Sequence, residues 1–503
     1  MQATMIIVGA GISGLSTGFY GQLNGFKTKI FEMHTVPGGL CAAWTRKGYK
    51  FDISMHLVAG SKSGPFNRLW EELGVLHDQE FHYHKSLGFI DGLKHKLDLC
   101  ADGKRLEEQM LSISPADADL IKEFTRLYSG PDFMGSFNLD PPELIGLMGK
   151  LRMFGAIIPM MGIYRKYSKV TIQDFAKRFS DPFLAEAVRF IVDTPGWPMV
   201  RYPMAAIAGF AKVGLTDAGN PRGGSCHVVS GIAERYMSLG GEIRYKSKVT
   251  GIVIENGRAT GIRLEDGTVH TADIVVWAAD GHHLLYDILG GKYNDRVIEK
   301  MYREWVPVQP MVHVCFGVNM DLSGEPARFT RELANPIVVG NREFKWISVI
   351  LHHFDPTTAP PGKTALEVWY AADFSYWQNL INDRAAYDAE KKRIAELTAD
   401  ELEKKWPGFK SRIEITDIST PMTYVRYTGN WQGSPDGWYV TVDNIMSQSM
   451  KRSLPGLPQL YMVGQWTAPY TGTVIAAASG RQLIQVLCRR GKKTFIAKAQ
   501  NMD

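Results

Sequence analysis

The stretch from Met5 to Gly39 constrains the fold more than any other part of this chain. It opens with an apolar run, Met5-Ile6-Ile7-Val8, that reads as a buried parallel strand. Gly9, Gly11 and Gly14 follow in the spacing G-x-G-x-x-G, and a helix then runs to about Asn24 with Gly25 as its C-cap. A second strand, Thr28 to Phe31, ends at Glu32. Gly9 permits the tight turn, Gly11 lets the backbone approach a pyrophosphate, and Gly14 lets helix and strand pack closely. Ile12 and Ser13 begin the helix, whose positive end faces the phosphate charge. Glu32 stands where an acid accepts from adenosine ribose hydroxyls; it also repels a 2′-phosphate, which disfavours NADP. Glycine is common here, 50 of 503 residues, so the triplet alone says little. Strand, glycines, helix, strand and acid in that order specify a dinucleotide site.

Gly38-Gly39, followed by Leu40, adds a second backbone segment with no side chain in the way. That suits FAD, whose diphosphate and ribityl chain need contacts beyond the first turn. Glu32, Gly38-Gly39 and Gly48-x-x-Phe51-Asp52 together resemble the flavoprotein superfamily of amine oxidases and phytoene desaturases. Within it, His34-Thr35, Gly38-Gly39-x-Cys41, Trp44 and Phe51-Asp52-x-x-x-His56 most resemble retinol saturase, carotenoid isomerase and the bacterial phytoene desaturases. The resemblance covers both ends of the chain and one central block, while the middle matches weakly.

The resemblance implies an α/β fold: a Rossmann-type FAD-binding domain, with a parallel sheet plus a β-meander, interleaved with an α+β substrate domain. The FAD-binding parts are expected at 1–65, 216–290 and 441–503, and the substrate parts at 66–215 and 291–440. By the same likeness, Cys41 to Gly60 passes beneath the flavin. There His56 either touches isoalloxazine or substrate, or is a hydrogen-bonded structural histidine. Cys41 itself is either reactive or a small packed side chain. The backbone of Val249 contacts the adenine. At the far end, Leu460 to Gly464 reads as a buried strand, and Gly472-Thr473-Val474 opens an alanine-rich helix through Ile484. Its N-terminus would face the flavin pyrimidine, where a positive dipole end is worth about 0.3–2 kcal/mol. Gln465 follows Gly464 where many superfamily members carry an acid, which puts one ribityl contact in question.

Composition limits the rest. A chain of 503 residues with 45% apolar and 22% charged side chains is globular and too long for one simple core. A net charge of +5 is too small to argue for nucleic acid, and no nucleic-acid motif is visible. Cys41, Cys100, Cys226, Cys315 and Cys488 are scattered, odd in number and without a C-x-x-C pair, so reduced thiols, a cytoplasmic setting and no metal are expected. His77, His82 and His84 lack an acid or cysteine at matching spacing and read as one face of an exposed strand. The N-terminus lacks a basic n-region, and no targeting signal is read there.

Pro141 to Lys169 differs in character: rich in Met, Leu and Ile, with Lys150, Arg152, Arg165, Lys166 and Lys169 against Glu143. Interior charges and Pro159 argue against a spanning helix. Two compatible readings follow: an interfacial element dipping into one leaflet, giving peripheral membrane association through 141–169, or a buried helix pair lining the substrate cavity. A helix around Met204 to Phe210, a helix from Val229 to Leu239 and a helix from Ala385 to Lys405 are expected. So are a meander block that opens with a short strand at Glu242 to Tyr245 and turns at Asn256-Gly257 and Asp266-Gly267, and long strands over Val306 to Met320 and Phe344 to Ala372. His352-His353 falls within the last of these.

These features favour an FAD-dependent oxidoreductase acting on C–C or C=C bonds of a long hydrophobic substrate, carotenoid, isoprenoid or acyl, with an external electron acceptor or donor. Two alternatives stand beside it. One is a flavin amine oxidase, with Trp466 and Tyr470 framing the flavin; the other is a non-redox lipid carrier of the same fold.

Overall fold

The computed structural model describes residues 2–52, 57–77, 79–131, 137–469 and 472–498. Five strands form a parallel sheet in the spatial order Glu242–Arg244, Lys27–Phe31, Thr4–Val8, Ile274–Trp277, Leu460–Met462. The near-continuous apolar sequences of Thr4–Val8, Ile274–Trp277 and Leu460–Met462 reflect burial on both faces. Met5, Ile7, Ile30, Ile274, Val276 and Tyr461 enter one core, beneath the helices Ile12–Leu23, Gly224–Ser238 and Thr473–Arg490. Ile6, Val8, Phe31, Val275, Trp277, Leu460 and Met462 alternate into the other, with the meander. The first and last helices lie against each other at Gly480, where an added Cβ would fall 2.6 Å from Thr17 Oγ1 and 2.7 Å from the Ser13 carbonyl.

The meander is antiparallel: Val249–Glu255, Arg258–Leu264 and Val269–Thr271. Its first turn has positive φ at Asn256 (51°) and Gly257 (73°), as a two-residue hairpin requires. The sequence groups Glu242 to Tyr245 with this block; in the fold Glu242–Arg244 pairs instead with Lys27–Phe31 as an edge of the parallel sheet.

A seven-stranded mixed sheet makes the second unit. Its order is Ile413–Ser419, Met311–Val318, Thr364–Ala371, Arg342–Leu351, Arg328–Val339, Ser86–Asp91, Lys96–Cys100. One face carries Val312, Val314, Phe316, Leu366 and Val368 into a core with Ile394 and Leu402 of the helix Arg384–Lys405. On the opposite face of the same strands lie His313, Cys315, Glu367 and Trp369. The expected strand over Phe344 to Ala372 is two strands, and His352-His353 lies in the connection between them.

The expectation of a buried helix pair at 141–169 is overturned. Leu147–Tyr167 is one helix, and Leu147, Met148, Leu151, Phe154, Ile158 and Met161 are each more than half exposed. Nothing in the described fold packs over them. The expected helix at Met204 is a single short 3₁₀ turn, Met204–Ile207, cut off where Gly209 takes a φ of 68°.

Candidate functional site

The glycine turn, the carboxyl ends of the parallel strands and the start of the last helix converge on a cavity of about 1160 Å³. Gly9, Gly11, Ile12, Ser13, Glu32, Gly38, Gly39, Leu40, Val249, Gly464, Gln465 and Thr473 line it. Gly14 and Val474 do not. A Cβ at Gly14 would sit 2.0 Å from the Gly9 carbonyl oxygen, so this glycine serves packing within the turn. The Val474 side chain is buried in the core beneath the helices. His56 lies outside the described residues, as does Tyr470; Leu57, next along the chain, is in the wall.

Local chemistry fits a dinucleotide. Gly11 caps the first helix with φ −69° and ψ 173° and no side-chain cap, and an added Cβ would meet nothing within 4 Å. Its open space is the room a diphosphate needs against bare N–H groups. Gly472, φ 112°, begins the last helix in the same way, without a side-chain cap or an acid in the first turn. Two helix N-termini thus open on one cavity. Glu32 accepts from the N–H of Ala10 at 2.7 Å and of His34 at 2.9 Å, which fixes the carboxylate and leaves lone pairs for ribose hydroxyls. The volume exceeds the roughly 300–1,000 Å³ of common small-molecule sites, enough for a dinucleotide and part of a second molecule.

Further residues stand in the wall. Asp280 accepts from the N–H of His283 at 2.7 Å and of Trp431 at 2.8 Å, and burial pushes its pKa up to about 6 despite those bonds. Val425 to Asn430 runs along another side, where Tyr427 stacks on His34 with ring centres 5.1 Å apart. Trp197, Met199, Arg328 and Trp369 are in the wall as well.

Behind this wall the mixed sheet buries a charged cluster. Glu367 is fully buried, with one carboxylate oxygen 2.9 Å from His313 Nε2 and the other 3.0 Å from His352 Nε2. Trp369 Nε1 donates to the first oxygen at 3.2 Å. Burial alone would raise the Glu367 pKa, but the two imidazoles overcome it and hold the carboxyl well below its ordinary value. Burial likewise opposes charge on His352, yet the Glu367 carboxylate prevails and lifts its pKa. His313, Cys315 and Glu367 bring metal-ligand atoms within 4.8 Å of one another, a grouping absent from the sequence reading. Both Glu367 oxygens, however, already have nitrogen partners. Only the period-two spacing of His313 and Cys315 hinted at a shared face.

Comparison with known proteins agrees with this geometry. The family model for flavin containing amine oxidoreductase matches residues 12–482. A chloroplastic prolycopene isomerase of Daucus carota is 26% identical, the match covering 94% of this chain and 78% of that protein. A lycopene-forming phytoene desaturase of Paracoccus sp. is 24% identical over 96% of this chain and 97% of its own length. Among solved structures, an oxidoreductase of Methanosarcina mazei superposes with a TM-score of 0.61 at 16% identity, covering 96% of this chain and 100% of that one. A putrescine oxidase variant superposes with a TM-score of 0.60 at 14% identity, covering 97% of this chain and 100% of that one.

Proposed function

This chain belongs to the flavin-containing amine oxidoreductase family, and from that premise we propose that it oxidises, reduces or isomerises C–C or C=C bonds of a long hydrophobic molecule. It is an FAD-dependent oxidoreductase, and bound FAD supplies the two-electron chemistry. In this reading Gly9, Gly11, Ile12 and Ser13 cradle the diphosphate, Glu32 holds the adenosine ribose, Val249 meets the adenine, and Gly38, Gly39, Leu40, Gly464, Gln465 and Thr473 fit the remainder. The first turn of the helix from Thr473 offers free N–H groups where negative charge develops on reduction.

One observation carries the choice of substrate class. Besides the dinucleotide elements, the cavity wall carries Leu57, Trp197, Met199 and Trp369, and the rings of Trp197 and Trp369 lie 6.0 Å apart. Side chains of this kind exclude water and grip hydrocarbon. The distant likeness to prolycopene isomerase and phytoene desaturase supports an apolar, conjugated substrate. The exposed apolar side of Leu147–Tyr167, with Lys150, Arg165 and Lys166 on the same helix, supports collection of that substrate from a bilayer surface. No described helix is long and apolar enough to cross a membrane.

The test is incubation of flavin-loaded protein with carotenoids, retinoids and fatty acids, with and without an external quinone, followed by product analysis. A product with a changed number or geometry of double bonds is expected. A second reading, amine oxidation, is favoured by Trp466, a residue of the cavity wall whose indole packs against Trp431 and Trp438. Release of hydrogen peroxide with polar amines, and no change in any lipid, would replace the first reading with the second.

A further inference from the structure

Two neighbouring strands of the mixed sheet bring three metal-binding side chains to one buried point. On Met311–Val318, His313 and Cys315 stand two residues apart and share a face. On Thr364–Ala371, Glu367 pairs directly with Cys315 and Trp369 with His313. One ligand atom from each of His313, Cys315 and Glu367 lies within 4.8 Å of the other two, and all three side chains are fully buried.

Two further observations point to something held between them. Among the described residues, neither ring nitrogen of His313 makes a hydrogen bond, although Nε2 lies 2.9 Å from a Glu367 oxygen. The two atoms are close but not aligned as donor and acceptor. The Tyr424 hydroxyl is also buried without a hydrogen bond, on a side chain 2% exposed and near enough to Cys315 and Glu367 to feel their charges. Native interiors leave few such atoms unsatisfied. An ion set off the line between His313 and Glu367 is reached by lone pairs of both. Two ligands about 2.0–2.1 Å from zinc in a tetrahedron stand about 3.3 Å apart, close to the separation here.

The other contacts of Glu367 suit a ligating carboxylate. His352 Nε2 lies 3.0 Å from one oxygen, and Trp369 Nε1 donates to the other at 3.2 Å. Each oxygen has two lone pairs, so neither contact uses up the carboxylate, and outer partners of this kind orient a ligand. Charge balances as well. A divalent ion with the Glu367 carboxylate, the Cys315 thiolate and a neutral His313 imidazole has no net charge, the condition a dry interior imposes. Thiolate and imidazole favour zinc over calcium or magnesium, which take oxygen ligands.

We propose that His313, Cys315 and Glu367 form a structural zinc site in the core of the mixed sheet, with His352 and Trp369 as the outer supports of Glu367. Loading releases the Cys315 thiol proton, and any proton on His313, to solvent. The site is separate from the flavin elements and does not depend on the choice of substrate. Because Trp369 also stands in the cavity wall, the ion braces that wall from behind.

Full-length protein loaded with flavin and expressed in medium supplemented with zinc, or with cobalt in its place, tests this. Loading during growth lets the ion enter before the sheet closes over it. After loose ions are removed on a chelating resin, elemental analysis is expected to find about one zinc per chain. Cobalt-grown protein is expected to show d–d absorption to the red of the flavin bands and, against zinc-grown protein, a thiolate-to-cobalt charge-transfer band in the near ultraviolet. Cys315→Ala is expected to lower retained metal about tenfold or more and to erase that band, while Cys226→Ala, which removes a thiol outside the cluster, keeps both. Flavin content shows whether each variant has folded, and the two wild-type spectra decide the matter even if Cys315→Ala does not fold. Wild type that retains less than about a tenth of a zinc per chain and shows no cobalt bands overturns the proposal. So does metal that survives Cys315→Ala or leaves with Cys226→Ala.

Discussion

Gly11 and Gly14 stand three residues apart and answer to different parts of the molecule. A methyl on Gly11 enters open space, so Gly11→Ala is expected to fold with an unchanged melting temperature as apoprotein and to lose about tenfold or more in FAD affinity. A methyl on Gly14 strikes backbone, so Gly14→Ala is expected to lose at least about 1–3 kcal/mol of stability whether or not flavin is present. Thermal melts with and without FAD separate the two. Asp280 makes a third case. Its raised pKa means that the folded state binds the proton more tightly than the unfolded chain does. That contribution is fully present below the ordinary value of 3.8 and is lost as pH rises through about 6. Urea titrations across this window should show the wild type losing about 2–3 kcal/mol relative to Asp280→Asn, and parallel curves would refute the assignment. The glycine turn was legible because its constraints act between residues close in sequence. Arg328, Trp369 and Trp197 were not, because nothing local to them marks a wall assembled from separate strands and loops.

Helix Leu147–Tyr167 shows what a segment's composition leaves open. Its apolar residues leave no clear polar stripe, and a helix apolar on all sides ordinarily reads as buried. Here the fold leaves much of that surface uncovered, a placement that no local pattern encodes. Replacing Leu151, Phe154 and Ile158 together by glutamate should leave the melting temperature within a few degrees, because each is more than half exposed. The same change should abolish co-sedimentation with anionic lipid vesicles; undiminished sedimentation would dismiss the helix as a membrane contact. The strand Arg328–Val339 escaped detection for a different reason. Asn335 and Pro336 interrupt it, and the pairing with Arg342–Leu351 shifts register between Glu332 and Ile337. Proline is tolerated in a strand at such an irregularity, so the sequence resembles a loop while the backbone continues the sheet.

The parallel sheet draws its strands from three distant parts of the chain, and the mixed sheet takes its own from the stretches between. Apolar runs and glycine turns announced the strands of the parallel sheet, but not which neighbours would meet. The clearest error, the edge strand Glu242–Arg244, was one of pairing rather than of conformation. Because Leu460–Met462 and the helix Thr473–Arg490 complete both the sheet and the cavity, removing residues 460–503 should leave a chain that holds no flavin and aggregates. Gly480→Leu is expected to do the same at full length, and soluble yield with flavin content checks both.

The contact at Gly480 also bears on how the protein is made. A ribosome delivers the turn around Gly9 long before the helix that locks it in place. Until that helix is made, the greasy flank of the Ile12–Leu23 segment lacks part of its cover, so soluble yield in cell-free translation is expected to rise when a chaperone is added during synthesis.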